Sequence, residues 1–247
     1  MRELLYGRQA VREALRAGKR RVYRLLFREG GARAPILDDI TALAQQRRVR
    51  IETLPRQALD SLAQNTEHQG ILLEVEPFPY AEVVDMLTLA RERAVAPLLL
   101  LLDQIQDVHN LGSLLRSAEA VGVHGVLVQE RRAAGITPAA VHTSAGAVEH
   151  LLVAQVANLS QAMERLKTAG LWFAGLEDVP GALAYTTVDL TIPLGLVVGS
   201  EGAGMRRLVR ERCDWLLALP MCGHINSLNA AVAGSIALYE VLRQRRV

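Results

Sequence analysis

Cysteine is scarce: Cys213 and Cys222 are the whole complement of a 247-residue chain, and they form no C-x-x-C. Together with six scattered histidines they supply neither a disulfide framework nor the ligand spacing of a zinc site, so free thiols and no metal are expected. Apolar runs are short as well. None approaches the roughly 18 to 20 residues of a membrane span, and the opening MRELLYGRQA lacks the apolar centre of a secretion signal. These absences point to a cytoplasmic protein without a membrane partner. Nucleotide-binding fingerprints are missing too. The glycine-rich stretch VVGSEGAGM at 197–205 runs G-x-x-G-x-G rather than G-x-G-x-x-G, and no G-K-[ST] occurs.

What the chain does contain is apolar mass. Half of its residues are hydrophobic, enough for a packed core in one large domain or two modest ones. Charge is unevenly spread: residues 1–75 hold 14 basic and 9 acidic groups, and the remainder hold 14 and 17. Arg16, Arg20, Arg21, Arg24, Arg47, Arg48 and Arg50 carry much of the early excess. They suit contacts to phosphate, and equally a solvated surface in a chain whose cations are nearly all arginine.

Helix-like and strand-like signals alternate through the first 75 residues. GRQAVREALRAG has a helical period, RVYRLLF reads as a strand, ILDDITALAQQRR is helical, and VRIETL, RQALDSLA and GILLEVE follow. The pattern predicts a small α/β domain over 1–76. Prolines at 77, 79 and 97 bracket a helix-like AEVVDMLTLARERA and mark 77–96 as a linker. Over 97–247 the apolar strands LLLLLD, GVLVQ, LLVAQV, LWFAGL, LGLVVG and WLLALP recur, with helical segments such as 111–121 and 159–167 between them. Continuous apolar strands alternating with helices predict an α/β domain whose parallel sheet is covered on both faces. Ligands of such sheets bind beyond the carboxyl ends of strands. The loops after LLLLLD, LGLVVG and WLLALP are therefore the candidate sites.

Each loop has two readings. In the first, Leu111, Leu114, Leu115, Ala118 and Val121 form the buried face of a helix. Asn110 is either a ligand contact or the helix cap, and Arg116 either works on a ligand or pairs with Glu119 at the surface. In the second, three glycines let backbone approach a ligand closely, with the Glu201 carboxylate at the rim, or they simply make a tight turn. In the third, Pro220 and Gly223 break the strand, and Ser227 is placed to cap a helix rich in small residues that suits close packing or a subunit contact. Asn229, inside the first turn on that reading, has no local purpose.

Taken in order, HNLGSLLRSAEAVGVHGV, LGLVVGSEGAGM and LALPMCGHINSLNAAVAGSIALYE resemble the three motifs of the SpoU branch of the SPOUT RNA methyltransferases, from Pro97 to the end. YGRQAVREAL and HQGILLEVE resemble the small RNA-binding domain, related to a ribosomal protein fold, that precedes the catalytic domain in bacterial 23S rRNA guanosine 2′-O-methyltransferases. The resemblance implies a deep trefoil knot, a feature nearly absent from other proteins, S-adenosyl-L-methionine as cofactor, a homodimer, and methyl transfer to a ribose 2′-hydroxyl of RNA, 23S rRNA above all. It assigns the chemistry to Asn110, Arg116, Glu201, Ser227 and Asn229, and main-chain contacts to the cofactor around Gly199, Leu219, Met221 and Leu228. Val108 departs from the pattern, standing where many relatives have proline.

On this resemblance Arg116 contacts the 2′-hydroxyl and a nearby phosphate, Asn110 and Glu201 orient it, and Ser227 and Asn229 shape the pocket. Two rivals remain at this stage. A non-catalytic RNA-binding protein would use only the basic front half, and an enzyme acting on transfer RNA or on an rRNA adenosine would share the motifs but differ in substrate.

Overall fold

A computed structural model of the chain describes residues 2–31, 34–63, 67–224 and 227–246. Two compact units emerge, Met1–Pro79 with Ile136–His150, and Tyr80–Gly135 with Leu151–Val247.

The first unit is built on strands β1 (Glu3–Tyr6), β2 (Val22–Arg28), β3 (Arg50–Leu54) and β4 (Ile71–Val75), in the order β1-β4-β2-β3. Only β2 and β3 are parallel. Helices α1 (Arg8–Ala17), α2 (Pro35–Gln46) and α3 (Arg56–Ala63) connect them. Helix α1 buries Ala10, Val11, Ala14 and Leu15 along one stripe and stops at Gly18 in a left-handed conformation. A later segment completes the unit: helix α6 (Pro138–Thr143) and a 3-10 turn (Ala147–His150) pack on β1 and α1.

That segment delivers Glu149, whose fully buried carboxylate accepts from Arg20 Nη2 at 2.6 Å and Nε at 3.1 Å, while Arg20 Nη1 donates to Glu3 at 2.8 Å. Arg20 is thus a buried structural ion rather than a phosphate contact. Others of the arginines read above as a phosphate footprint are also neutralised: Arg16 by Asp39 and Glu13, Arg24 by Glu74 and Glu52, Arg50 by Glu52. The carboxylates interleaved on neighbouring strands and helices explain the difference, because a count along the chain does not see partners in space.

The second unit is a seven-stranded sheet, all parallel: β5 (Leu98–Asp103), β6 (Gly125–Gln129), β7 (Val153–Val156), β8 (Trp172–Leu176), β9 (Leu183–Ala184), β10 (Leu194–Gly199) and β11 (Trp215–Ala218), in the order β7-β6-β5-β10-β8-β11-β9. Strands β5, β6 and β10 are buried at every residue, as strands must be when helices cover both faces. Leu99, Leu101 and Val197 meet Met86 of α4 (Val83–Glu92), Met163 of α7 (Leu159–Thr168) and Val209 of α8 (Arg207–Glu211) in one apolar cluster. The other face carries α5 (Val108–Ala120) and α9 (Ala230–Arg245), which pack on each other.

Helix α9 comes close because Gly234 has no side chain; a Cβ there would lie 2.5 Å from Leu114 and 3.2 Å from Val198. Its far end is fastened by Arg245, which donates to the carbonyls of Ala96 (2.6 Å), Ile192 (2.7 Å), Pro97 (3.2 Å) and Leu190 (3.3 Å). Strand β10 lies between β5 and β8, and after β11 the chain returns to place α9 along α5.

Candidate active site

The carboxyl ends of β8, β10 and β11 open onto a cavity of about 720 Å³. Gly199, Glu201, Leu219, Met221, Ser227, Leu228 and Asn229 all line it. Two of the three loops singled out in the sequence therefore form its wall, and Asn110 of the third reaches Glu201 from beside it.

The β10 loop is shaped by a close crossing. A Cβ on Gly199 would sit 2.5 Å from the backbone carbon of Gly204 and from Met205 N, so no other residue fits. Ser200 and Gly204 exchange backbone hydrogen bonds at 3.0 and 3.1 Å, closing the turn, and Gly202 and Gly204 take positive φ. Beyond the turn, Arg206 donates from its backbone N–H (2.7 Å) and Nε (2.8 Å) to the fully buried carboxylate of Asp103 at the end of β5. These charge-assisted bonds hold the loop to the neighbouring strand.

Three polar side chains from three elements meet on that loop. Glu201 Oε1 accepts from Asn110 Nδ2 at 2.7 Å and from Asn229 Nδ2 at 2.6 Å, and Asn229 Nδ2 also reaches Asn110 Oδ1 at 2.8 Å. Asn229 Oδ1 accepts from the amides of Ala231 (2.9 Å) and Val232 (3.1 Å). Backbone amides can only donate, so the orientation of the Asn229 carboxamide follows from the network itself. A carboxylate is thereby fixed at the cavity rim, beside the positive end of α9.

Two capping expectations are corrected. Asn229, not Ser227, caps α9; Ser227 lies two residues ahead of it, exposed on the cavity wall with its hydroxyl bonded to no other described residue. Asp107, not Asn110, caps α5, its Oδ1 accepting from Asn110 N at 2.8 Å. The helix begins earlier than its apolar period suggests, which puts Asn110 inside the first turn with its side chain free for Glu201. Val108 occupies the first helical position, where proline is favoured in general.

Arg116 is exposed on α5, outside the cavity lining, and no ion pair joins it to Glu119 or to any other described residue. The sequence reading passed over Glu177 and Asp178, which line the cavity from the loop after β8. That loop follows the strand LWFAGL, and its acidic pair at a carboxyl strand end was the available signal. Cys213 is half-buried, and desolvation, with help from the neighbouring Asp214 carboxylate, pushes its thiol up to about 12. Among the described residues no cluster of His, Cys, Asp and Glu is placed to hold a metal ion.

Residues 97–239 match the SpoU rRNA Methylase family, and residues 4–81 match the domain described as RNA 2′-O ribose methyltransferase substrate binding. The chain is 40% identical over 243 residues to a Bacillus subtilis protein assigned to the TrmH family of tRNA/rRNA methyltransferases, covering 98% of this chain and 96% of that one. In structure it resembles the SpoU methyltransferase AviRb from Streptomyces viridochromogenes, solved in complex with AdoMet, with a TM-score of 0.79 at 26% identity over 99% of this chain and 91% of that one. The A. aeolicus TrmH/SpoU tRNA modifying enzyme aligns with a TM-score of 0.55 at 29% identity, over 66% of this chain and 85% of that one.

Proposed function

The chain belongs to the SpoU family of RNA 2′-O-ribose methyltransferases, and from that premise we propose that its cavity holds S-adenosylmethionine and that its substrate is a guanosine of 23S rRNA. The observation that carries the reading is the Asn110–Glu201–Asn229 network fixed at the rim of a cavity at the strand ends. A volume of about 720 Å³ suits a small-molecule site. The side-chain-free crossing at Gly199 lets the β10 loop fold back closely on itself at the cavity wall, and a carboxylate at the rim suits a cationic ligand. The bound cofactor supplies an electrophilic methyl group on a sulfonium.

The chain's own contribution is positioning and electrostatics. Leu219, Met221 and Leu228, with Gly199, hold the cofactor largely through main-chain groups. Asn110 and Asn229 fix the Glu201 carboxylate, and Ser227 offers its hydroxyl on the same wall. Holding the attacking oxygen about 3 to 3.5 Å from the methyl makes the displacement effectively unimolecular. Arg116, exposed on α5 rather than in the cavity lining, is assigned to RNA seated over the cavity, where its charge stabilises the negative charge that develops on the 2′-oxygen. An arginine guanidinium stays protonated throughout the working range and is a poor proton acceptor, so the 2′-hydroxyl proton passes to solvent water as the oxygen gains the methyl group and the sulfonium sulfur leaves as a neutral thioether. Arg116→Ala is expected to abolish methylation with cofactor affinity within about threefold, and Arg116→Lys to be poor because lysine lacks the two-pronged geometry. Full activity of Arg116→Ala would remove it from the mechanism.

Ribosomal rather than transfer RNA is favoured because the A. aeolicus tRNA enzyme spans only 66% of this chain, whereas a substrate-binding match occupies residues 4–81 here. A homodimer is supported by α9, whose Val232, Ile236 and Tyr239 form one exposed apolar stripe at 47%, 38% and 53% exposure. Ser117 and Ser235 bond across the α5–α9 seam at 2.7 Å, next to exposed Arg116 and Ile236. Mapping 2′-O-methyl positions on 23S rRNA and on tRNA, with and without the protein, tests the substrate. One guanosine of 23S rRNA that loses its methyl without the protein is the expected result, and a site found only in tRNA overturns the assignment.

A further inference from the structure

One edge of the first unit's sheet gathers the carboxyl ends of β1, β2 and β3 with the starts of α1, α2 and α3. A cavity of about 770 Å³ opens there, and Arg8, Arg28 and Arg56 all line it. Resting on the RNA reading above, we propose that this cavity takes one unpaired nucleotide of the substrate RNA, with phosphates on Arg8 and Arg28 and the base against Phe27.

The charge at this edge is available. Arg8 Nε is shielded from solvent with no hydrogen-bond partner, and no carboxylate among the described residues engages the Arg8 guanidinium, so its charge is not neutralised within the unit. The Arg28 side chain likewise bonds to no described residue, and Arg56 stands 3.6 Å from Asp60. Asp60 is shared, because His68 Nε2 donates to it at 2.6 Å while His68 Nδ1 accepts from Gly70 N at 3.0 Å. This pair of bonds pins the loop before β4. Gln69, also in the cavity lining, is pinned too, its Oε1 accepting from Arg8 N at 3.0 Å. The first turns of α1 and α3 contain no acid, so their amide ends add to the positive potential.

A second arginine group in the same unit is the natural comparison. Arg2, Arg24 and Arg50 also line a hollow, but Glu74 and Glu52 engage them at 2.5 to 3.3 Å. Their charge is spent internally. Among the described residues the Arg8–Arg28 cavity has one acid in its lining, Asp38, a carboxylate suited to accept amino hydrogens of a base. Phe27 is half-buried at its wall in a chain with only three phenylalanines. A concave basic site with an aromatic face fits a splayed single-stranded nucleotide, which stacks and is held through its backbone, better than it fits a duplex.

The test uses the full chain and measures equilibrium binding of a labelled 23S rRNA transcript, with a tRNA pool as a second RNA. Arg28→Ala should weaken binding roughly five- to tenfold and lower the slope of log affinity against log salt by about 0.7, one phosphate contact on a single strand. Phe27→Leu should weaken it by at least about fivefold, in the range of a lost stacking partner, and Phe27→Tyr should restore it, which separates stacking from folding. Arg2→Ala removes the same charge from the ion-paired hollow and should change affinity less than twofold. S-adenosylmethionine affinity should stay within twofold in all four. If the wild type binds RNA and Arg28→Ala binds equally well, or Arg2→Ala is just as damaging, the cavity is not the subsite. If the wild type binds neither RNA, the RNA reading itself fails.

Discussion

Asn229 does two jobs with the two ends of one carboxamide. Its oxygen takes the free amides at the start of α9, and its nitrogen holds Glu201 and Asn110. Substitutions can separate them. Asn229→Asp keeps an oxygen for the cap but loses the donor and sets a second carboxylate against Glu201, so methyl transfer should fall at least about tenfold with the melting temperature nearly unchanged. Asn229→Ala loses both, and the lost cap alone costs about 1 kcal/mol, or roughly 2 to 4 °C in a chain of this size. Activity rates and thermal melts of the two variants check the separation; retention of activity in Asn229→Asp would leave only the structural role. Gly199→Ala is expected to fold poorly around the loop and to lose cofactor binding, because the added methyl meets backbone that cannot move aside. At this scale the motifs named residues far apart in the chain that the structure brings together, since Asn110, Glu201 and Asn229 converge in one hydrogen-bond network. They did not reveal which residue caps which helix, because capping depends on where the first turn begins and on partners 28 to 119 positions away.

Among the elements, the long apolar strands and the α5 and α7 helices were legible because burial on both faces leaves an unbroken hydrophobic record. Short pieces were not. Strand β9 has two residues, both exposed, and β1 joins its sheet by antiparallel pairing with β4, far along the chain; neither leaves a periodic trace. The segment 136–150 carries no pattern that tells of its ion pair with Arg20. One element-level prediction concerns pH. His124 precedes β6, is nearly buried, and accepts from Leu98 N on Nδ1 at 3.0 Å. Burial, with help from Arg93, pushes its pKa below the ordinary 6.5. The unfolded chain therefore takes up this proton at a higher pH than the folded one, so the stability it contributes is intact above about pH 6.5 and declines as pH falls through that value. His124→Asn keeps an acceptor that does not titrate, and its melting temperature should fall less between pH 7 and pH 5 than that of the wild type. Parallel curves would exclude His124 as the source.

At the scale of the whole molecule, the proposed function divides the work between the two units, one meeting RNA and the other holding a methyl donor. The exposed stripe on α9 makes a further prediction: if the chain dimerises as proposed, Ile236→Asp combined with Tyr239→Asp should convert the dimer into a monomer in sedimentation, and a mass equal to that of the wild type would remove the stripe as the subunit contact. No compositional count could have shown that stripe, since three apolar residues on one helix face look like core until the fold leaves them exposed. The claim on which everything else rests is that the turns after β10 and β11 together form the seat of S-adenosylmethionine. Calorimetric titration of the full chain with that compound, beside Gly199→Ala, addresses it most directly. One saturable site per chain, abolished by Gly199→Ala, is the predicted result; no heat of binding in the wild type, or undiminished binding in a folded variant, would contradict it.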